Sequence, residues 1–182
     1  VEVKNDMLEA LDGFSIYSLS VNCRNTKYVI EDVKKVTLLD KTSDYLENTI
    51  VGERVKATPI KTISDLSQKV DGLLSSGVLV EEIVIVDLEI SSNIKPSILI
   101  DGIHFKKFGE LGDGVRIAQP EDVKGLEFDY VIVTGLGSLP SPEKLRSIYV
   151  AITRAVVSCE LVYDLSDGDF SVLQLISKLY ND

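Results

Sequence analysis

The chain has 182 residues, 45% of them apolar and 26% charged, with 12 Gly and 5 Pro, a balance that excludes intrinsic disorder and collagen-like structure. A chain of this length buries roughly 70% of the surface its unfolded form exposes, enough for one self-sufficient core. Its 19 basic and 29 acidic residues leave a net charge of −10, so nucleic acid meets net repulsion at long range and any contact with it must be local.

A strand is expected near 14–20 (FSIYSLS), followed by a helix over 25–38. In that helix Tyr28, Val29, Asp32, Val33 and Val36 share one mostly apolar stripe, and Asn25 is an acceptable cap. Then come a strand at 54–60, a helix at 62–75 and a strand at 82–88, whose run EIVIV is continuously apolar, as a central strand covered on both faces should be. A strand at 97–101 leads into 101–114 (DGIHFKKFGELGDG), rich in Gly and charge, which reads as a hairpin or irregular connection. Strands follow at 115–118 and 129–134. The helix at 142–154 has a clear start signal: Ser141 can cap it, Pro142 occupies its first position and Glu143 suits the positive end of the macrodipole. A strand at 158–163 and a helix at 169–180 close the chain. The alternation predicts a single three-layer α/β domain with a mainly parallel sheet.

Cys23 and Cys159 are far apart, without a CxxC or a neighbouring His, so two buried, reduced thiols are expected and no zinc site. No apolar run approaches the roughly 18 residues needed to span a bilayer, and VEVKNDMLEA lacks the pattern of a signal peptide. A cytoplasmic location is therefore expected. The chain begins at Val1 rather than Met, in keeping with a piece of a longer protein. The lone His104, between Ile103 and Phe105, reads as a strand-surface residue rather than a ligand or base.

Charge is unevenly spread: −3 over 1–21, +2 over 22–41, −5 over 42–115, zero over 116–154 and −4 over 155–182. The two segments spared the acidity hold the motif-like residues, NCRNT at 22–26, VKGLEFDYVIV at 123–133 and IYVAITRA at 148–155. Ligands of parallel sheets bind beyond the strand C-termini, which would place Arg24, just after a strand, beside such a site. Arg154, ending its helix, has a purely structural explanation in the macrodipole.

Together these segments resemble the second RecA-like domain of superfamily 1 helicases of the UvrD/Rep-like group, over about residues 14–164. Asn22, Cys23, Arg24 and Asn25 stand where the family has its Asn-aromatic-Arg-Ser motif IV. Lys124, Gly125, Leu126 and Glu127 match the Lys-Gly-Leu-Glu of motif V, and Tyr149 to Ala155 (YVAITRA) match motif VI.

The resemblance implies that ATP and Mg²⁺ lie in a cleft against an N-terminal RecA-like domain of the same parent chain. Arg154 would be the arginine finger and Arg24 a second γ-phosphate contact, a task suited to the always-charged planar fork of arginine. Glu127 would meet the ribose or couple ATP to DNA, with Gly125 letting the backbone approach. Lys124 and Asn22 would contribute to the track of single-stranded or partly duplex DNA.

Nothing here matches GxxxxGK[ST], and no strand ends in an Asp-Glu pair suited to Mg²⁺. Alone, the chain should bind ATP very weakly and hydrolyse none. Gly135-Leu-Gly137 reads as a simple strand-to-helix turn. Pro120, Glu121 and Asp122 occupy the place of a Thr-containing DNA-gripping segment, as a degenerate motif V or as a helix opening. About a hundred residues separate motifs IV and V, leaving no space for a large inserted subdomain. Two rival readings stand beside the motor domain: a degenerate helicase-like module serving protein interaction or regulation, and a nucleotide-binding α/β domain of another family.

Overall fold

The apolar run at 83–86 lies in the middle of the sheet, fully enclosed along its length. The computed structural model describes residues 21–22, 24–37, 44–89, 98–137, 141–164 and 170–180. The strand expected at 14–20, Cys23 and the acidic stretch 165–169 lie outside the described residues. In chain order the elements are β1 (Val21–Asn22), α1 (Lys27–Thr37), β2 (Asp44–Tyr45), β3 (Lys56–Ile60), α2 (Ile63–Ser75), β4 (Ile83–Asp87) and β5 (Ile98–Ile100). They continue with β6 (Ile103–Lys107), β7 (Val115–Ala118), β8 (Phe128–Thr134), α3 (Pro142–Ile152), β9 (Ala155–Asp164) and α4 (Phe170–Tyr180).

Seven strands form one sheet in the order β3-β9-β8-β4-β7-β6-β5, parallel at every junction except the β5–β6 hairpin. The described β1 and β2 pair separately, in parallel. Period-two alternation sorts the core into two layers. Ile83, Ile85, Ile132 and Val162 face Leu66 and Val70 of α2. Val84, Val86, Val131, Val133 and Leu161 face Val29 and Val33 of α1, Ile148 and Ile152 of α3, and Leu175 and Leu179 of α4. This is the three-layer α/β, RecA-like arrangement expected. Cys159 is a buried free thiol whose pKa is raised by desolvation.

The segment 101–114 is a hairpin turn followed by a full strand, β6, which joins β7 in parallel. Ile103 and Phe105 point inward and His104 is exposed, the surface position expected of it. The glycines at 109, 112 and 114 lie in a strand-to-strand loop. Gly135 and Gly137 do sit between β8 and α3. Gly135 takes φ +68°, and a Cβ there would fall 2.6 Å from Asp87 Oδ1, so both conformation and space demand glycine.

Helix α3 starts as the sequence dictates: Ser141 accepts from Lys144 N at 3.1 Å, with Pro142 in the first turn. Helix α2 starts with a full capping box, Thr62 accepting from Asp65 N while the Asp65 carboxylate accepts from Thr62 N and Lys61 N. Those backbone donors hold the Asp65 carboxyl below its ordinary value. The native state thus binds this proton less readily than the unfolded chain, so the contribution is present at neutral pH and lost as pH falls through the carboxylate range. Asp65→Asn is expected to melt below the wild type at pH 7, the gap narrowing as pH falls through the carboxylate range, as thermal unfolding across pH will show.

The expected Asn25 cap on α1 is not what the fold makes. The helix begins at Lys27, Ile30 N donates to Thr26 O, and the Asn25 side chain is directed elsewhere.

Candidate functional site

The segment resembling motif V ends immediately before β8 and the one resembling motif VI ends on the first residue of β9, and the two strands are parallel neighbours. Their leading ends therefore meet: Phe128 N donates to Arg154 O at 3.0 Å, and Phe128 pairs with Ala155. Motif IV reaches the same edge from a distance of more than a hundred residues. Asn25 Nδ2 donates to Thr153 O at 2.9 Å and to Ala155 O at 3.1 Å. Three segments thus converge at the N-terminal ends of β8 and β9.

Arg24 stands just after a strand, as expected, but among the described residues that strand, β1, is not part of the seven-stranded sheet. The rule for parallel sheets applies to loops of the sheet's own strands, whereas Arg24 follows β1, which among the described residues pairs with β2. Its guanidinium Nε forms an ion pair with Glu127, both side chains being nearly half exposed.

Arg154 is half-buried and held on three sides. Its Nε donates to Val150 O at 3.1 Å, Nη1 to Leu126 O at 3.2 Å and Nη2 to Thr153 Oγ1 at 3.1 Å. The bond to Val150 satisfies a carbonyl of the last turn of α3, so the macrodipole explanation is part of its role. One N–H on each terminal nitrogen remains for an anion. Desolvation lowers the Arg154 pKa, and the nearby Arg24 charge lowers it further, while Tyr149 and Glu127 oppose the shift. Two guanidiniums and one carboxylate are therefore mutually within electrostatic range, an excess of positive charge at a partly desolvated edge.

The remaining predicted residues fall around this cluster. Lys124 is exposed, with Glu121 at 4.0 Å. Gly125 takes φ +82°, with open space where a Cβ would project, so the turn requires glycine for its backbone conformation. Residues 120–125 form turns rather than a helix, with Asp122 N bonded to Gln119 O and Gln119 N to Asp122 Oδ2. Asn22 is committed to its own loop: Oδ1 accepts from Arg24 N at 2.9 Å and Asn25 N at 3.0 Å, and Nδ2 donates to Asn25 Oδ1. Tyr149 packs half-buried against the core. Beside Arg24 opens a mainly apolar groove of about 540 Å³, lined by Leu46, Ile50, Val156 and Val157 among others. Among the described residues, no group of three or more His, Cys, Asp or Glu is placed to hold a metal ion, and no helix is long and apolar enough to cross a membrane.

The fold has a solved counterpart. The crystal structure of the C-terminal domain of a possible DNA helicase from Lactobacillus plantarum WCFS1 superposes with a TM-score of 0.53 at 17% sequence identity, covering 87% of this chain and 94% of that one. At that identity the likeness is one of fold. No family model and no curated protein matches the sequence.

Asn25 is the residue that the sequence reading missed at this site. A carboxamide beside a strand end and before a helix has the chemistry of a cap, and nothing local shows that its acceptors lie 128 and 130 residues onward.

Proposed function

We propose that this chain is the second RecA-like domain of an ATP-dependent superfamily 1 DNA helicase of the UvrD/Rep-like group. The observation that carries the reading is the convergence of Arg24, Glu127 and Arg154, from three separated motifs, at one edge of the sheet. A triphosphate suits that edge: two guanidiniums offer charge-assisted donors to phosphate oxygens, and the apolar groove beside Arg24 offers surface to a base. Arg154 would stabilise charge developing during phosphoryl transfer and Arg24 would hold the γ-phosphate. The γ-phosphate would then compete with Glu127 for Arg24, freeing that carboxylate for the ribose, while the turn at Gly125 sets where Glu127 projects. The phosphate-cradling loop and the Mg²⁺ ligands belong, in this reading, to an N-terminal RecA-like domain of the same parent protein.

Of the two residues expected on DNA, Lys124 has the exposure for it, and Asn22 serves the loop that carries Arg24. The full-length protein should hydrolyse ATP in response to single-stranded DNA, measured as steady-state phosphate release. Lys124→Ala should flatten the plot of log binding constant against log salt by about 0.7, the value of one phosphate contact on a single strand.

The degenerate, non-catalytic module draws support from Glu121, which stands close to Lys124 with both side chains exposed and would weaken a phosphate contact there. A full-length protein with no DNA-stimulated ATP turnover favours that module over the motor.

A further inference from the structure

We infer that Asn25 is a positioning residue for Arg154, fixing the arginine finger relative to Arg24; the inference rests on the helicase-domain reading above. Asn25 is 3% exposed, and three side-chain hydrogen bonds set it on one path between the two arginines. Its two amide N–H groups donate to Thr153 O and Ala155 O, the carbonyls on either side of Arg154. Its Oδ1 accepts from Asn22 Nδ2 at 3.0 Å, and Asn22 Oδ1 in turn accepts from the backbone N–H of Arg24 and of Asn25. A continuous hydrogen-bonded path therefore runs from the backbone of Arg24 to both flanks of Arg154.

The chemistry leaves few substitutes. A short side chain with two donors and an acceptor is needed, which the carboxamide supplies and hydroxyl, methyl or carboxylate groups do not. Arg154 itself is anchored by N to Ala151 O and by O from Phe128 N, so the Asn25 bonds fix the remaining carbonyls of the turn. With both flanks held, the guanidinium works from a backbone that cannot shift as the cleft closes. A displacement of about 1 Å at a reacting group costs on the order of a hundredfold in rate.

The test is a mutant cycle on ATP turnover by the full-length protein, using Asn25→Ala, Arg154→Ala and the double variant. Asn25→Ala should lower kcat about ten- to a hundredfold with little change in the KM for ATP. In the Arg154→Ala background it should lower kcat no further, because the two residues act through one guanidinium. Asn22→Asp keeps both acceptor bonds but sets a carboxylate oxygen against Asn25 Oδ1 in place of the N–H donor, so it should also lower kcat, with the same non-additivity, even if Asn25→Ala does not fold. Losses that multiply in the double variant, or an unchanged kcat in Asn25→Ala when Arg154→Ala is inactive, overturn the inference alone. Wild-type turnover in Arg154→Ala overturns the helicase-domain reading and the inference with it.

Discussion

Arg154→Ala in the full-length protein is expected to lower ATP turnover by about 10³ or more, the value of an arginine finger in phosphoryl transfer. The side chain has the two properties the task needs. It is fixed, through Val150 O, Leu126 O and Thr153 Oγ1, and each terminal nitrogen keeps an N–H in reserve. Its partners bear on the control. Removing the side chain also releases the Val150 and Leu126 carbonyls, but Arg154 is only half-buried and water can replace those donors, so the domain should stay folded. Arg154→Lys separates charge from geometry: it keeps a cation and loses the planar fork, and should recover little of the rate. Although burial and Arg24 lower the Arg154 pKa, a guanidinium stays protonated throughout the neutral range, so the finger adds no inflection to the pH profile. Steady-state kinetics with single-strand binding as the folding control decides the matter: full turnover in Arg154→Ala would remove Arg154 from the chemistry.

The sheet was legible because its central strands leave unbroken apolar runs, and the start of α3 because Ser141, Pro142 and Glu143 each act on their own turn. That the segments resembling motifs V and VI each abut a strand is local information, whereas their meeting depends on β8 and β9 being neighbours in the sheet. What was hidden depends on distant partners or on shortness. β6 was obscured by His104, Lys106 and Lys107, although Ile103 and Phe105 alternate inward as a half-covered strand should. Among the described residues β1 and β2 have two residues each, too few to show a period. That Arg24 meets the N-terminal ends of β8 and β9 has no local sign, because its ion-pair partner, Glu127, lies about a hundred residues onward. Asn25 reads locally as a cap because its acceptors are equally remote.

Asp32 shows the same limit with a consequence for stability. It sits on the apolar stripe of α1, among Val29, Val33 and Val36, and is fully enclosed. A carboxylate there needs partners, and it has two: Arg54 Nη1 at 2.6 Å and the buried backbone N of Val55 at 2.9 Å. Arg54 also pairs with Glu31 at 3.1 Å and lies 4.0 Å over the Tyr28 ring, so its position is set from several sides. The pair ties α1, which begins just after the Arg24 turn, to the segment entering β3. Asp32→Ala strands the Val55 N–H in the core and opens space beside it. We expect it to cost about 2–3 kcal/mol, the value of charge-assisted hydrogen bonds with a buried donor left unpaired. Asp32→Asn keeps the volume and an acceptor and should cost about half as much. Urea unfolding of the 182-residue chain measures both, and losses below about 0.5 kcal/mol would mean that the pair only offsets its own desolvation. Because Asp32 touches neither Arg24 nor Arg154, ATP turnover per folded full-length molecule should be unchanged, which distinguishes this loss of stability from the loss of chemistry at Arg154.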